Sequence, residues 1–236
     1  LIAHPKLSVL KSSMEILQHF TETKNPTSHF ISLEGIEACG KSTHITGLKD
    51  YFLKKGFAVT IVREPGGTIF GEQLRQAILS SQFPIPPIAE AYLFASSRAQ
   101  LLAEKILPLL SQDRQIVICD RFIDSSISYQ GVARNLGVAT ILDIHKYPPL
   151  NVLPHFTFYV KINLETSFRR QELRNSKKDY FEAEKVDFYK KIIEGYEQAA
   201  QLFPQRIKTI DGEQEVSLVF GQIIKHLQHI NWPHKL

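Results

Sequence analysis

Sulfur and indole are scarce in this chain: its 236 residues hold two cysteines, one methionine and one tryptophan. Cys39 and Cys119 form neither a zinc pattern nor a disulfide framework, so a reducing, cytoplasmic setting is expected. No apolar run approaches the length of a membrane-spanning helix, and no membrane partner is expected. An excess of one charge is missing too. With 28 basic and 24 acidic residues the net charge is +4, which suits a protein that handles anions and is too mild for a nucleic-acid binder. There is no internal repeat and no low-complexity tract. What is present is 43% hydrophobic residues, enough for one large domain with a substantial core.

The one methionine, Met14, falls inside residues 1–27, a mixture of lysines, serines and apolar residues. Glu15 and Glu22 count against a transit peptide, and no apolar stretch followed by a cleavage site is visible. This segment reads as an N-terminal extension with translation starting at Met14, and residues 28–236 as the domain.

Along the domain, strand patterns alternate with helical ones. Strands are expected at Phe30–Glu34, Phe57–Val62, Gln115–Cys119, Phe156–Ile162 and Arg206–Ile210. Helices are expected over Lys41–Lys55, Gly71–Ser80, Ile88–Leu110, Val138–His145, a stretch from Val186 through Tyr196, and Val216–His229. The uninterrupted apolar QIVIC segment, Gln115–Cys119, is the kind found in a parallel sheet covered on both faces. The alternation predicts an α/β sandwich of three layers around a parallel, five-stranded sheet, with ligands at the carboxyl ends of its strands. The charged run from Arg169 to Lys185 is the one candidate for a mobile lid.

The stretch between the first strand and first helix reads Gly35, Ile36, Glu37, Ala38, Cys39, Gly40, Lys41, Ser42, Thr43. Two glycines with four residues between them, followed by Lys-Ser, match a phosphate-binding loop. Glycines let successive N–H groups turn inward onto a phosphate, and the helix start adds partial positive charge. Lys41 reaches the β and γ phosphates of a nucleoside triphosphate, while the Ser42 hydroxyl holds Mg²⁺. A glycine turn ahead of a helix would explain the spacing less well. Asp120 closes the QIVIC strand where such proteins place an acid to steady Mg²⁺, and Arg121 beside it is suited to an anionic acceptor. Phe94 and Arg98, four apart on a helix, suit a base-stacking ring and a guanidinium on the base edge. In most proteins the same spacing is a core Phe94 beside a snorkelling Arg98. Cys39 reads as a loop filler.

Several classes drop out. A guanine-reading Asn-Lys-x-Asp motif is absent, and the loop lacks the Gly-x-Pro-Gly of adenylate-kinase-like chains. Motors and transporters need domains for which there is no room. A small-molecule kinase and a nucleotide-binding switch remain.

Six short blocks then resemble the thymidylate kinase family, in the family's order. They are FISLEGIEACGKST, REPGGT (Arg63–Thr68), GEQLR (Gly71–Arg75), YLFASSRAQ (Tyr92–Gln100), DRFIDSSISYQG (Asp120–Gly131) and IEGYEQ (Ile193–Gln198). The resemblance implies transfer of the ATP γ-phosphoryl group to dTMP with Mg²⁺, by a homodimer of bacterial type. It implies that Glu37 faces the sugar and phosphate end of dTMP, that Arg121 clamps the acceptor phosphate, and that Glu64 and Arg75 line the acceptor site. It further implies that Phe94 stacks on thymine, that Arg98 bonds its O4, that Ser126 and Gln130 lie near the base edge, and that Tyr129 excludes a 2′-OH. One position departs. Where bacterial members carry a lid arginine this chain has Tyr180, and the missing charge is expected from Arg174, with Arg170, Lys177 and Lys178 as alternatives. A kinase for another nucleoside monophosphate and a catalytically impaired relative stay open.

Overall fold

The computed structural model describes residues 15–21, 25–173 and 180–228. In chain order the domain runs β1 (His29–Glu34), α1 (Lys41–Lys54), β2 (Ala58–Arg63) and α2 (Ile69–Leu79). Next, α3 (Pro87–Leu101) continues through a π-helical turn (Leu102–Ile106) to Leu107–Leu110, and β3 (Gln115–Asp120) follows. Then α4 (Ile123–Ser126) widens into a π-helical segment, Ile127–Ala133, ahead of α5 (Val138–His145) and β4 (Phe156–Lys161). The chain closes with α6 (Leu164–Glu172), α7 (Val186–Leu202), β5 (Ile207–Asp211) and α8 (Val216–Gln228).

The five strands form one parallel sheet in the order β2-β3-β1-β4-β5. β1 lies at its centre, with Leu33 level with Asp120 on one side and with Phe158 on the other. Phe30, Ile31 and Leu33 on β1 and Ile116 to Cys119 on β3 are fully buried regardless of which face they point to. That is the pattern of strands covered on both faces. The strand order reverses direction across β1, and such a point is where open α/β sheets leave a crevice for ligands.

The expected strands and helices all form, most with ends displaced by a residue or two; the helix expected from Val186 through Tyr196 runs on to Leu202, and His229 lies outside the described residues. Two helices were not foreseen. The stretch after Asp120 carries serines and a glycine and reads as a loop, yet it forms α4 because Ile123 and Ile127, four apart, are both fully buried. Asp124 anchors this helix to the sheet. It forms a two-pronged ion pair with Arg206 at 2.6 and 2.7 Å and accepts a bond from Thr157 on β4, which in turn bonds Ser32 on β1. The other is α6, capped by Asn163, whose side chain accepts from the Thr166 N–H at 2.8 Å.

The region read as an extension is not wholly apart from the domain. Ile16, Leu17 and Phe20 pack against the core, and Thr21 bridges to Val152. The Asn25 amide reaches the Gln112 carbonyl and the Asp113 carboxylate. Of the charged run, Arg169–Glu172 is the end of α6, and Tyr180–Lys185 leads in turns to α7. Arg174, Lys177, Lys178 and Asp179 lie outside the described residues.

The close packing of α7 on α4 depends on one glycine. A Cβ on Gly195 of α7 would stand 2.5 Å from the Ser128 Cα, so only glycine lets α7 press directly on the π-helical part of α4.

Candidate active site

The loop between β1 and α1 turns through three left-handed residues, Gly35 (φ 139°), Ala38 (φ 60°) and Gly40 (φ 101°). At Gly35 a side chain is excluded by space as well: a Cβ would lie 2.5 Å from the Val160 carbonyl oxygen. Gly40 directly precedes α1, so the helix N-terminus points its unpaired N–H groups into the loop. Lys41 is buried and folds back so that its ammonium donates to the carbonyls of Gly35 (3.2 Å) and Ile36 (3.4 Å). From the other side α6 grips the loop: Ser167 donates to the Glu37 carbonyl at 2.8 Å, and the Arg170 guanidinium lies 3.4 Å from the Ala38 carbonyl.

This loop forms one wall of a cavity of about 290 Å³, lined by Glu37 through Thr43 and by Arg63, Glu64, Arg75, Asp120 and Arg121. A second, narrower cavity is lined by Pro65, Leu79, Phe94, Ser125, Tyr129, Gln130 and Phe181. Four residues, Glu37, Glu64, Arg75 and Arg121, line both. A polar, cationic cradle therefore opens directly onto an aromatic slot.

Arg121 is the hinge between the two. Its backbone is left-handed (φ 71°), and its N–H is held by the Leu33 carbonyl at 3.0 Å. Its guanidinium donates to the Gly35 carbonyl (2.8 Å), the Tyr196 hydroxyl (2.9 Å) and a Glu37 carboxylate oxygen (3.0 Å). Tyr129 donates to that same Glu37 oxygen at 2.7 Å, with its ring beneath the Arg121 guanidinium. Three acidic oxygens of residues lining the first cavity, Glu37 Oε2, Glu64 Oε1 and Asp120 Oδ1, are buried with no protein partner. Such groups call for a ligand, a cation or water. Among the described residues no three acidic, histidine or cysteine side chains cluster as a metal cage. Asp120 and Ser42 together fit a cation that takes most of its ligands from phosphates and water, as Mg²⁺ does.

The expected site residues divide into three groups. Lys41, Ser42, Asp120, Arg121, Glu37, Glu64 and Arg75 come together in the cradle, and Phe94, Tyr129 and Gln130 in the slot. Arg98 and Ser126 line neither cavity. Arg98 is 1% exposed and its donors are taken by Glu64 (2.7 Å), Ser126 (3.0 Å) and His145 (2.7 Å). Burial raises the Glu64 pKa, against the opposing pull of Arg98. Arg174 lies outside the described residues. Tyr180, standing in place of the lid arginine, accepts from the Ile85 N–H at 3.3 Å and packs edge-on against Phe181.

Sequence reasoning missed Ser125, Phe181, Ser167 and Glu90. Glu90, fully buried, accepts from the Gln130 amide at 2.8 Å and from Arg134, which also pairs with Glu184. A buried glutamate four residues before Phe94 was a visible signal, since a charge on an apolar helix face needs a partner.

Comparison with known proteins agrees with this geometry. The family model described as thymidylate kinase matches residues 33–223. The chain belongs to the thymidylate kinase family. A thymidylate kinase of a Thermoanaerobacter species is 44% identical over 195 residues, 83% of this chain and 95% of the relative. The thymidylate kinase of Bacillus licheniformis is 37% identical over 196 residues, covering 82% of this chain and 92% of its own. The solved thymidylate kinase of Ehrlichia chaffeensis superposes with a TM-score of 0.69 at 30% identity, over 86% of this chain and 99% of that one. With this family the nucleotide-binding switch falls away, and the phosphoryl donor is ATP.

One buried acid beneath the thymidylate kinase site sets a pH test. Glu34, at the end of β1, accepts from the Phe122 N–H and the Ser125 hydroxyl, both at 2.6 Å. Burial, then the Asp124 charge, push its pKa from the ordinary 4.5 up to about 8. The folded chain thus holds a proton there that the unfolded chain releases, and stability falls as pH rises between 4.5 and about 8. Glu34→Gln should flatten this fall, read as the difference in denaturant midpoint between variant and parent across the window. Parallel pH profiles would mean that Glu34 is ionised throughout.

Proposed function

We infer that this chain is a dTMP kinase, transferring the γ-phosphoryl group of ATP to dTMP to give dTDP and ADP. The observation that supports it most directly is the shared wall: the phosphate cradle and the aromatic slot have Glu37, Glu64, Arg75 and Arg121 in common. Two anions must meet across such a wall, and the chemistry asks chiefly for alignment and neutralised charge. Lys41 and the N-terminus of α1 take the donor phosphates, and Arg121 with Arg75 takes the acceptor phosphate. Mg²⁺, held by the Ser42 hydroxyl and steadied by Asp120, would supply further positive charge between the phosphates when bound.

Phe94 stacks on the base in this reading, and Gln130, fixed by Glu90, meets its edge. Arg98 acts on the base only from below, where Glu64, Ser126 and His145 hold it. The Tyr129 hydroxyl, tied to Glu37, occupies the ground a 2′-OH would need and so favours deoxy substrates. ADP release from Mg-ATP should depend strongly on dTMP, weaken with dUMP, and be low with dCMP, UMP or no acceptor. Release indifferent to the acceptor would overturn the assignment.

The charge absent at Tyr180 is supplied from α6 and the segment after it, by Arg170 and Arg174. Arg170 is supported by its contacts with the carbonyls of Ala38 and Gly212. Each change to alanine should lower kcat by roughly tenfold or more with little effect on the KM for dTMP, the signature of a contact made in the transition state. Unchanged turnover in either variant removes that residue from the role.

The chain acts as a homodimer in a reducing cytoplasm. Supporting the first are the exposed apolar side chains Ile69 (85%) and Phe70 on α2 and Tyr92 and Ile88 on α3, two helices that pack side by side. Supporting the second are two free, buried thiols, Cys39 and Cys119. Sedimentation at micromolar concentration should give twice the chain mass of 26.9 kDa. A single-chain mass would refute the dimer.

A further inference from the structure

The phosphate-clamping role of Arg121 needs more than its own position, because a guanidinium at the end of a flexible side chain is free to turn. Four groups from three parts of the fold remove that freedom. The Gly35 carbonyl and the Glu37 carboxylate come from the phosphate loop after β1, and the Ser125 hydroxyl (3.3 Å) from α4. The Tyr196 hydroxyl, at 2.9 Å, comes from α7, more than seventy residues along the chain. Tyr196 is itself firmly fixed. It is 1% exposed, its ring stacks on Tyr159 at 4.9 Å and 20°, and it meets the Tyr129 ring edge-on.

The direction of the bonds follows from the groups themselves. Arginine only donates, so the Tyr196 oxygen accepts from Arg121, and its own proton is free to go to a Glu34 carboxyl oxygen at 3.1 Å or to Ser125 at 2.8 Å. Ser125 also bonds Glu34 at 2.6 Å. Tyr196 thus joins the acid at the end of β1 to the cation that lines both cavities. Its reach depends on Gly195, the residue before it, whose missing side chain lets α7 sit against Ser128.

We propose that Tyr196 is a positioning residue for the acceptor phosphate: through its hydroxyl it holds Arg121 in the orientation that clamps the phosphate of dTMP. This rests on the dTMP kinase reading given above. Tyr196 touches no ligand itself, since it lines neither cavity. Its influence is therefore confined to the part of the substrate that Arg121 meets, and the nucleoside part is read elsewhere, by Phe94 and Gln130.

Tyr196→Phe keeps the stacked ring and removes only the hydroxyl, so the fold is retained. Binding of dTMP and of thymidine, which lacks the phosphate, is measured by calorimetry for parent and variant. Losing one hydrogen bond to a charged group should weaken dTMP roughly tenfold and leave thymidine unchanged. In an Arg121→Ala background the same change should cost dTMP nothing further, since the residue it orients is gone. Equal weakening of both ligands would assign the hydroxyl a general structural role, and no weakening of either would show that Arg121 orients without it; each result overturns the proposal. A further loss in the Arg121→Ala background does the same. If the parent itself binds dTMP no more tightly than thymidine, the phosphate clamp at Arg121 falls, and this proposal falls with it for that separate reason.

Discussion

Everything in this site hangs on a cation that is already in place before any phosphate arrives. Arg121 sits in a left-handed backbone at the end of β3 and is bonded to the carbonyl of Gly35, to Glu37 and to Tyr196. A positive charge free in solution is satisfied by water, and bringing it to an anion means stripping that water away. Here the protein's own oxygens have replaced the solvent, and the orientation cost is met on folding instead of on binding. The conformational strain at Arg121 is of the kind that persists only where surrounding structure over-determines it.

The same principle organises the acids. Glu37, Glu64, Glu90 and Asp124 are each paired with an arginine: Arg121, Arg98, Arg134 and Arg206 respectively. Glu34 has no arginine of its own within bonding distance and is held by Ser125, Tyr196 and the Phe122 N–H, while burial and then the Asp124 charge push its pKa up to about 8. Buried pairs of this sort add little net stability, but removing one partner is expensive, so they keep each side chain in a single arrangement. In this chain they run from the sheet edge through α4 to the segment before α7 and tie the acceptor slot to its surroundings.

Much of this was legible in the chain before any coordinates. The phosphate loop could be read because its function demands backbone geometry that only certain residue types supply, and Gly35 shows why: a Cβ has no room beside Val160. The sheet was legible in apolar runs such as Gln115–Cys119. What could not be read was whatever depends on distance through space. Ser125 and Ser126 are neighbours in sequence, yet one faces the slot and the other holds Arg98 from behind. Helix α4 was hidden because its serines suggest a loop, while the two isoleucines that bury it are sparse. Tyr196 fell within a recognised block, but its target lies on another element altogether.

The central place of β1 carries one last consequence. Strands at the rim of a sheet can detach and re-form with only one neighbour lost, whereas a middle strand must break two ladders at once. The phosphate loop grows out of this middle strand, and Glu34 and Gly35 sit at the junction. Fluctuations that loosen β2 or β5 therefore leave both ladders of β1 intact, and the amide protons of this strand belong with the slowest-exchanging part of the molecule. The loop itself, with unpaired N–H groups turned toward the cavity, hangs from the part of the sheet that opens last.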